Sequence, residues 1–203
     1  AGTSEIIVEG VDKLNPADHE IIGDRIAAGT FLAAILSTKG SGIVNGINPE
    51  HLPMELKKLG EMGAKIDSTE TSINIEYRDN LQSIELSTLP FPGIATDLQP
   101  IFGSALLLAE GTSILTENVY DQRFQWIPEV QRMGANIQTG WQHAMIKGVK
   151  TLSGAPVHAT DIRTGASLVI AALQADGLST ITGIDHINLS LIHISEPTRP
   201  LYI

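Results

Sequence analysis

Apolar residues fall into three similar stretches along the chain, and their spacing within each stretch is helical. The stretches run from Asp24 to Gly40, from Asp97 to Gly111 and from Asp161 to Gly177. Each one begins at an aspartate, is rich in alanine and leucine, and ends at a glycine, which suits the C-terminus of a helix. The pattern therefore predicts three related helices, each of them innermost in its own structural unit.

A short strand is predicted after each of these helices. β-branched residues are frequent there, at positions 43–44, 113–115 and 180–182. The first two units continue into a second helix, whose apolar face is marked by residues three and four positions apart. Those residues are Leu52, Leu56, Leu59 and Met62 in the first unit and Ile127, Val130 and Met133 in the second. Trp126 and Trp141 are expected to be packing residues.

The two second helices end in the same way. Met62-Gly63-Ala64 and Met133-Gly134-Ala135 lie equally far along the chain from Gly40 and Gly111, respectively. A hairpin is expected after each of them, closed by Ile73 and Ile75 in the first unit and by Met145 and Ile146 in the second. The repeated unit is therefore helix, strand, helix and two strands (α-β-α-β-β).

We infer an α/β fold in which such units pack around an approximate threefold axis. The third unit lacks a second helix, so the repeat breaks after Asn188. The segment 189–203 has no Gly-Ala signature and resembles a translated sequencing adapter, so we expect it to be an adapter-derived tail that is foreign to the fold. A divergent C-terminal strand is the alternative.

The charge of the chain narrows the classes of function. It carries 23 acidic and 13 basic residues, for a net charge of −10, which argues against a nucleic-acid partner because such proteins neutralise phosphates with clustered Lys and Arg. No apolar run approaches a membrane span and no signal peptide is visible, so we expect no membrane partner and a cytoplasmic location. The six histidines lack metal-binding spacing and cysteine is absent, so neither a metal nor another cofactor is predicted.

Thr96 and Asp97 open the second unit directly after a proline-rich loop. A threonine with Gln99 three residues later is a capping-box pattern, so both residues could simply cap a helix. A carboxylate at a helix start beside a rigid loop can also lie in a cleft and accept a proton from a substrate. The sequence leaves both roles open for Asp97.

Two arginines are further candidates. Arg123 lies in the segment 117–124, a loop position that often carries function, although it could instead form a solvated pair with Asp121. Arg163 follows Asp161, which the repeat predicts to be a helix cap. If several unit starts point into one cleft, helix N-termini and arginines converge there on phosphate or carboxylate groups. An anionic small molecule is the ligand class that such a cleft would bind.

Several of these segments together resemble the UDP-N-acetylglucosamine enolpyruvyl transferases, from about Ile6 to Asn188. The resemblance rests on Asp24-Arg25-Ile26, Thr96-Asp97-Leu98-Gln99, Ala109-Glu110-Gly111-Thr112, 117–124, Arg132-Met133-Gly134-Ala135 and Asp161-Ile162-Arg163. It implies the inside-out α/β barrel of this EPSP synthase-like fold, in which two domains of three units face each other. Residues 1–12 would end the other domain, and 13–188 would form one enolpyruvyl transferase domain with a truncated third unit.

The resemblance also implies a reaction, in which the enolpyruvyl group of phosphoenolpyruvate moves to the 3-hydroxyl of UDP-N-acetylglucosamine at the first committed step of peptidoglycan synthesis. Asp97 would accept the hydroxyl proton. Arg123 and Arg163 would stabilise phosphoenolpyruvate and the charge that develops, while Thr96, Asp97 and Val119 would contact the UDP-sugar. The proton donor and most phosphate-binding residues would belong to the missing N-terminal domain of the same chain, so we expect no turnover from this chain alone.

Two positions depart from the family pattern. Ala27 stands where the family often has glutamate, which weakens a local polar contact, and Ala95 stands where a proline usually precedes Thr-Asp, which loosens the loop. Three alternatives remain: the shikimate-pathway enolpyruvyl transferase, a noncatalytic UDP-sugar-binding relative and an RNA-end-processing relative. The segments 96–99 and 117–124 argue against the first, the retained Asp97 against the second, and the negative charge against the third.

Overall fold

A computed structural model of the chain describes residues 5–185. The helices in this part are α1 (Arg25–Ser37), α2 (Pro53–Glu61), α3 (Gln99–Ala105), α4 (Ile127–Arg132) and α5 (Ile162–Leu173). The strands are β1 (Ser41–Asn45), β2 (Ala64–Ser68), β3 (Ser72–Tyr77), β4 (Glu85–Ser87), β5 (Thr112–Thr116), β6 (Asn136–Gly140), β7 (His143–Lys147), β8 (Leu152–Ser153), β9 (Pro156–His158), β10 (Ala175–Asp176) and β11 (Thr180–Thr182). Short 3₁₀ turns lie at Pro49–His51, Thr96–Leu98 and Arg123–Trp126.

The first unit follows the predicted order. Asp24 caps α1, because its Oδ1 accepts hydrogen bonds from the backbone N–H groups of Ile26 and Ala27 at 2.7 and 3.3 Å. Strands β1, β3 and β2 then form an antiparallel sheet in that spatial order. The side chains of Ile73 and Ile75 on β3 are fully buried in the core that also contains Leu32 of α1. The predicted hairpin and the burial of the first helix are both confirmed.

The sequence pattern missed one strand at the start of the second unit and two strands at the start of the third. In the second unit β4 precedes α3 and pairs in parallel with β5, inside a sheet of order β4-β5-β7-β6. In the third unit β8 and β9 precede α5 and pair in parallel with β10 and β11. These strands have only two or three residues, so alternation cannot reveal them. The second unit therefore begins one element earlier than predicted, and the third begins two elements earlier.

The repeated Gly-Ala sequence has a backbone cause. Gly63 follows α2 with φ of 106° and Gly134 follows α4 with φ of 96°. This left-handed region is strained for other residues but open to glycine. The two glycines let each helix end and the chain turn directly into the next strand, β2 or β6, so the second helix and hairpin of both units share one geometry.

The three first helices of the units share a single core. Helices α1, α3 and α5 contact one another, and all seven residues of α3 are buried. Trp126 is also fully buried, and its indole Nε1–H donates to Gln99 Oε1 at 3.0 Å, which confirms its predicted packing role. The prediction for Trp141 is wrong, since this residue lies in the β6–β7 turn with φ of 41° and is 90% exposed.

Some predictions concern the two ends of the chain. Residues 5–23 contain no helix or strand, and the predicted boundary at residue 12 remains a prediction. The predicted break of the third unit after Asn188 and the adapter-derived tail 189–203 lie outside the described residues. Both stay predictions from the sequence.

Two helical glycines provide a test of the core. A Cβ at Gly103 in α3 would overlap the Trp126 ring, whereas a Cβ at Gly60 in α2 would meet no atom within 4 Å. Gly103→Ala is expected to lower the free energy of unfolding by about 1–3 kcal/mol through overpacking. Gly60→Ala should raise it by about 0.5–1 kcal/mol, because alanine loses less conformational entropy in a helix.

Urea unfolding followed by circular dichroism measures both changes on the same chain. The opposite signs are the decisive feature, since both substitutions add one methyl group to a helix. A Gly103→Ala protein as stable as the wild type would show that α3 and Trp126 are not packed as described.

Candidate active site

The site lies where two neighbouring parallel strands end. The loop that leaves β4 leads to Thr96 and Asp97 in the 3₁₀ turn before α3, and the loop that leaves β5 leads to Arg123. The carboxyl ends of parallel neighbours meet at the same edge of a sheet, which is where α/β folds commonly bind ligands. Arg163 comes from the first turn of α5 in the third unit. The site therefore combines residues from two units.

Asp97 forms ion pairs with both arginines. Its Oδ1 lies 2.9 Å from Arg123 Nη2 and its Oδ2 lies 2.8 Å from Arg163 Nη2. The side chains of Asp97, Arg123 and Arg163 are 33, 16 and 26% exposed. Such partly buried pairs are screened less by water than surface pairs are. One carboxylate thus holds two guanidinium groups close together.

Arg123 is fixed by two further contacts. Its Nε–H donates to Thr96 Oγ1 at 3.1 Å, and its guanidinium carbon lies 4.8 Å from the centre of the Tyr120 ring, in cation–π range. Arg123 pairs with Asp97 and not with Asp121, which was the alternative partner that the sequence offered. Four of the predicted site residues, Thr96, Asp97, Arg123 and Arg163, form one connected group.

The capping interpretation is wrong for Asp97 and right for Asp161. Asp161 Oδ1 accepts from the backbone N–H groups of Arg163 and Thr164 at 2.8 and 3.1 Å, as Asp24 does in the first unit. Neither the 3₁₀ turn at Asp97 nor α3 has a side-chain cap, because the Asp97 carboxylate faces the two arginines. The second unit thus departs from the repeat at the residue predicted to carry chemistry.

Val119 lies in the loop that carries Arg123, and 49% of it is exposed. Its backbone N–H donates to Glu117 Oε1 at 2.9 Å, and the Tyr120 N–H donates to the same oxygen at 3.0 Å. Glu117 is fully buried. The loop conformation around Val119 therefore depends on a buried carboxylate, while a contact between Val119 and a UDP-sugar remains a prediction.

Glu55 is a buried carboxylate that the sequence analysis did not single out. Its Oε1 lies 3.3 Å from Arg25 Nη1, and Arg25 in turn lies 5.4 Å from the ring centre of Phe91. Burial raises the pKa of Glu55, against the opposing effects of its own backbone, the Arg25 charge and the Ala95 backbone. Because Phe91 and Ala95 belong to the loop before Asp97, Glu55 and Arg25 support that loop.

A sequence signal for Glu55 did exist. The residue lies between Leu52 and Leu59 on the apolar face of α2, where a carboxylate is unusual. Glu55 pairs with Arg25, which lies 30 residues earlier, and it contacts the backbone of Ala95, which lies 40 residues later. Those contacts follow from tertiary packing, which local spacing does not encode.

A cavity of about 930 Å³ lies elsewhere and is lined by residues from 20–23, 46–51 and 68–71. None of the candidate residues lines it, so the site is defined by its cluster of charges. Among residues 5–185, no group of three or more His, Asp or Glu side chains could hold a metal ion. The described helices are also too short or too polar for any of them to cross a membrane.

Comparison with known sequences adds independent evidence. The model of the family EPSP synthase (3-phosphoshikimate 1-carboxyvinyltransferase) matches residues 1–197. A Thermotoga maritima protein named UDP-N-acetylglucosamine 1-carboxyvinyltransferase is 45% identical over 92% of this chain and 44% of its own length. A Corynebacterium jeikeium protein of the same name is 42% identical over 99% of this chain and 48% of its own length. The chain spans less than half the length of both relatives.

Solved structures give the same architecture. The enolpyruvyl transferase NikO from Streptomyces tendae aligns with a TM-score of 0.75 at 24% identity, over 84% of this chain and 41% of that one. An EPSP synthase from Acinetobacter baumannii aligns with a TM-score of 0.69 at 21% identity, over 84% and 44% of the two chains. The fold is therefore that of the enolpyruvyl transferases, which confirms the predicted fold class.

The chain belongs to the EPSP synthase family. Its similarity to the two curated relatives confirms the predicted resemblance to the UDP-N-acetylglucosamine enolpyruvyl transferases.

Asp161 provides a test through pH. Burial disfavours its charged form, but hydrogen bonds from the Thr164 hydroxyl, the Thr164 and Arg163 backbone and the Thr160 hydroxyl outweigh that effect and hold the pKa of Asp161 below its ordinary value. Ionised Asp161 therefore stabilises the fold above about pH 4, and this contribution is lost as the pH falls through the folded-state pKa. Asp161→Asn keeps the cap but removes the titration.

Thermal unfolding at a series of pH values checks this expectation. Between about pH 5 and pH 3 the wild-type midpoint should fall more steeply than that of Asp161→Asn. Asp176→Asn, an exposed substitution in the same unit, should follow the wild type. Parallel curves for the wild type and Asp161→Asn would contradict the role of Asp161.

Proposed function

We propose that this chain supplies one half of the active site of an enzyme that transfers the enolpyruvyl group of phosphoenolpyruvate to the 3-hydroxyl of UDP-N-acetylglucosamine. The observation that carries the proposal is the Asp97 carboxylate held between Arg123 and Arg163. A carboxylate beside two cations, at a strand edge that suits ligand binding, supports a role as proton acceptor. The names of the curated relatives support the choice of both substrates.

Asp97 acts on the acceptor hydroxyl in this proposal. The sugar oxygen attacks C2 of phosphoenolpyruvate while Asp97 takes the hydroxyl proton, and an acid outside the residues described here delivers a proton to C3. Loss of a C3 proton and release of phosphate then restore the double bond. The reaction is therefore an addition followed by an elimination.

Arg123 and Arg163 bind and stabilise negative charge in this proposal. Phosphoenolpyruvate carries a carboxylate and a phosphate, and guanidinium groups bind such anions with paired hydrogen bonds. In a partly buried site these cations also stabilise negative charge that develops during addition. Thr96, which accepts from Arg123, and Val119, on the exposed loop, are the proposed contacts of the UDP-sugar together with Asp97.

The proposal extends to the parts that this chain does not cover. An N-terminal domain of the same protein would supply the proton donor and the remaining phosphate-binding groups, so the chain alone is expected to give no turnover. We place the reaction at the first committed step of peptidoglycan synthesis, in the cytoplasm, without a further cofactor and without a nucleic-acid or membrane partner. The net charge of −10 supports the exclusion of nucleic acid.

A phosphoshikimate acceptor is the second candidate, because the family model is described by that activity. The relatives at 45 and 42% identity favour the UDP-sugar. Thermal shifts of the chain with each acceptor separate the two, since stabilisation by 3-phosphoshikimate alone would favour the second. A noncatalytic role is disfavoured because Asp97 is retained and held by both arginines.

Asp97→Asn tests the proton-acceptor role. The chain is joined to the remaining part of the Thermotoga maritima relative, and phosphate release is measured with both substrates. Asparagine retains the shape of the side chain but cannot accept the proton, so kcat should fall by about 10²- to 10⁴-fold. Binding of UDP-N-acetylglucosamine, measured by calorimetry, should be largely kept.

Asp121→Asn serves as the matched control, because it removes an exposed carboxylate from the loop that carries Arg123. This variant is expected to turn over like the unmodified protein. Full activity of Asp97→Asn would refute the proposed role of Asp97, and phosphate release by the chain alone would refute the need for a second domain.

A further inference from the structure

Thr88 and Glu117 are joined in the buried region where the parallel strands β4 and β5 end. The Thr88 hydroxyl donates to Glu117 Oε1 at 2.7 Å and accepts from the Asn118 backbone N–H at 3.0 Å. The Asn118 side-chain amide donates to the Thr88 carbonyl at 3.1 Å. We call this set of three residues, Thr88, Glu117 and Asn118, the clasp. The clasp joins the chain just after β4 to the chain just after β5.

Within residues 5–185, the Glu117 carboxylate uses one oxygen for all of its hydrogen bonds. Its Oε1 accepts from the Thr88 hydroxyl and from the backbone N–H groups of Val119 and Tyr120, at 2.7 to 3.0 Å. Its Oε2 is buried and has no hydrogen-bond partner among residues 5–185. The carboxylate is therefore directed at the start of the loop that carries Arg123.

Stability alone does not explain a carboxylate at this position. Glu117 is fully buried, and its hydrogen-bond donors are all neutral. Burying a carboxylate without a paired cation is costly, and an apolar side chain of similar volume is often as stable or more stable there. A buried polar network of this kind does, however, select one backbone arrangement over others.

The clasp and the ion pair close the same two loops from opposite ends. One loop runs from Thr88 to Asp97, with its neck closed by the Leu89 N–H that donates to the Ile94 carbonyl at 3.0 Å. The other runs from Glu117 to Arg123. The loops meet again where Arg123 donates to Asp97 at 2.9 Å. Movement at the clasp therefore changes the relative position of Asp97 and Arg123.

We propose that Glu117 is a positioning residue, whose buried carboxylate sets Arg123 against Asp97 through the loop at Val119 and Tyr120. The proposal rests on the function proposed for Asp97 as far as turnover is concerned. The effect of Glu117 on the position of Arg123 involves only described residues and can be tested on the chain itself. Misplacement of a catalytic pair by about 1 Å can cost about 10²-fold in rate, which sets the size of the expected effect.

The first test is nuclear magnetic resonance on the full chain with Glu117→Ala and Glu117→Gln. In Glu117→Ala the Val119 and Tyr120 amides lose their acceptor and should exchange with solvent about tenfold faster. The Arg123 Nε–H signal should also shift and lose protection, although Arg123 does not touch Glu117. Glu117→Gln retains an acceptor oxygen and should restore these signals in large part.

Two further variants keep the test decisive. Thr88→Val removes one arm of the clasp and should shift the Arg123 signal in the same direction, even if Glu117→Ala fails to fold. Glu85→Gln, on the exposed side of β4, is the matched control and should leave the signals of Val119, Tyr120 and Arg123 unchanged. A purely structural role would lower the thermal midpoint of the clasp variants while leaving the Arg123 Nε–H signal in place, and that outcome would overturn the proposal.

The effect of Glu117 on turnover is measured in the fusion with the remaining part of the Thermotoga maritima relative. There Glu117→Ala should lower kcat by about 10²-fold. Glu117→Gln should restore most of the lost kcat, and Glu85→Gln should leave kcat unchanged. Unchanged kcat in Glu117→Ala would also overturn the proposal. If the unmodified fusion shows no turnover, the proposed function fails, and the Arg123 signals alone still decide the role of Glu117.

Discussion

The carboxylate of Asp97 lies between two guanidinium groups that come from different parts of the chain, one from the loop after β5 and one from the first turn of α5. The two guanidinium charges repel each other, and the negative charge of the carboxylate between them offsets that repulsion. Arg123 is held further by Thr96 and Tyr120. This arrangement concentrates positive charge without making the protein basic, since its net charge is −10.

The scaffold around this group consists of buried polar contacts at strand and helix ends. Glu117 and Thr88 tie together the ends of β4 and β5, while Glu55 and Arg25 support the loop before Asp97 from the first unit. Burying a carboxylate costs free energy. Both of these carboxylates contact a loop that leads to the Asp97–Arg123 ion pair, which indicates that they serve to hold those loops in place. Helices α1, α3 and α5 share one core, and two of them begin at the site: the 3₁₀ turn that contains Asp97 leads into α3, and Arg163 lies in the first turn of α5.

Local pattern was sufficient for the repeat and its glycines, because the helical period and the left-handed turns are encoded over a few residues. Three aspartates looked alike in that pattern, yet Asp24 and Asp161 cap helices while Asp97 binds arginines. Strand β4 was missed because only three of its residues pair, and Thr88 was missed because its partners lie about 30 residues away, just after β5. What escaped the sequence analysis was long-range contact.

The proposed role of Asp97 is measured most directly by a structure of the chain joined to the remaining part of the Thermotoga maritima relative, with UDP-N-acetylglucosamine bound. If Asp97 accepts the hydroxyl proton, the 3-hydroxyl oxygen of the sugar lies within hydrogen-bond reach of an Asp97 carboxylate oxygen, at about 2.6–3.2 Å. Arg123 and Arg163 should flank the same carboxylate or have turned toward a bound anion beside it. A sugar whose 3-hydroxyl lies against another side chain, with Asp97 still enclosed by both arginines, would contradict the role of Asp97 as the proton acceptor.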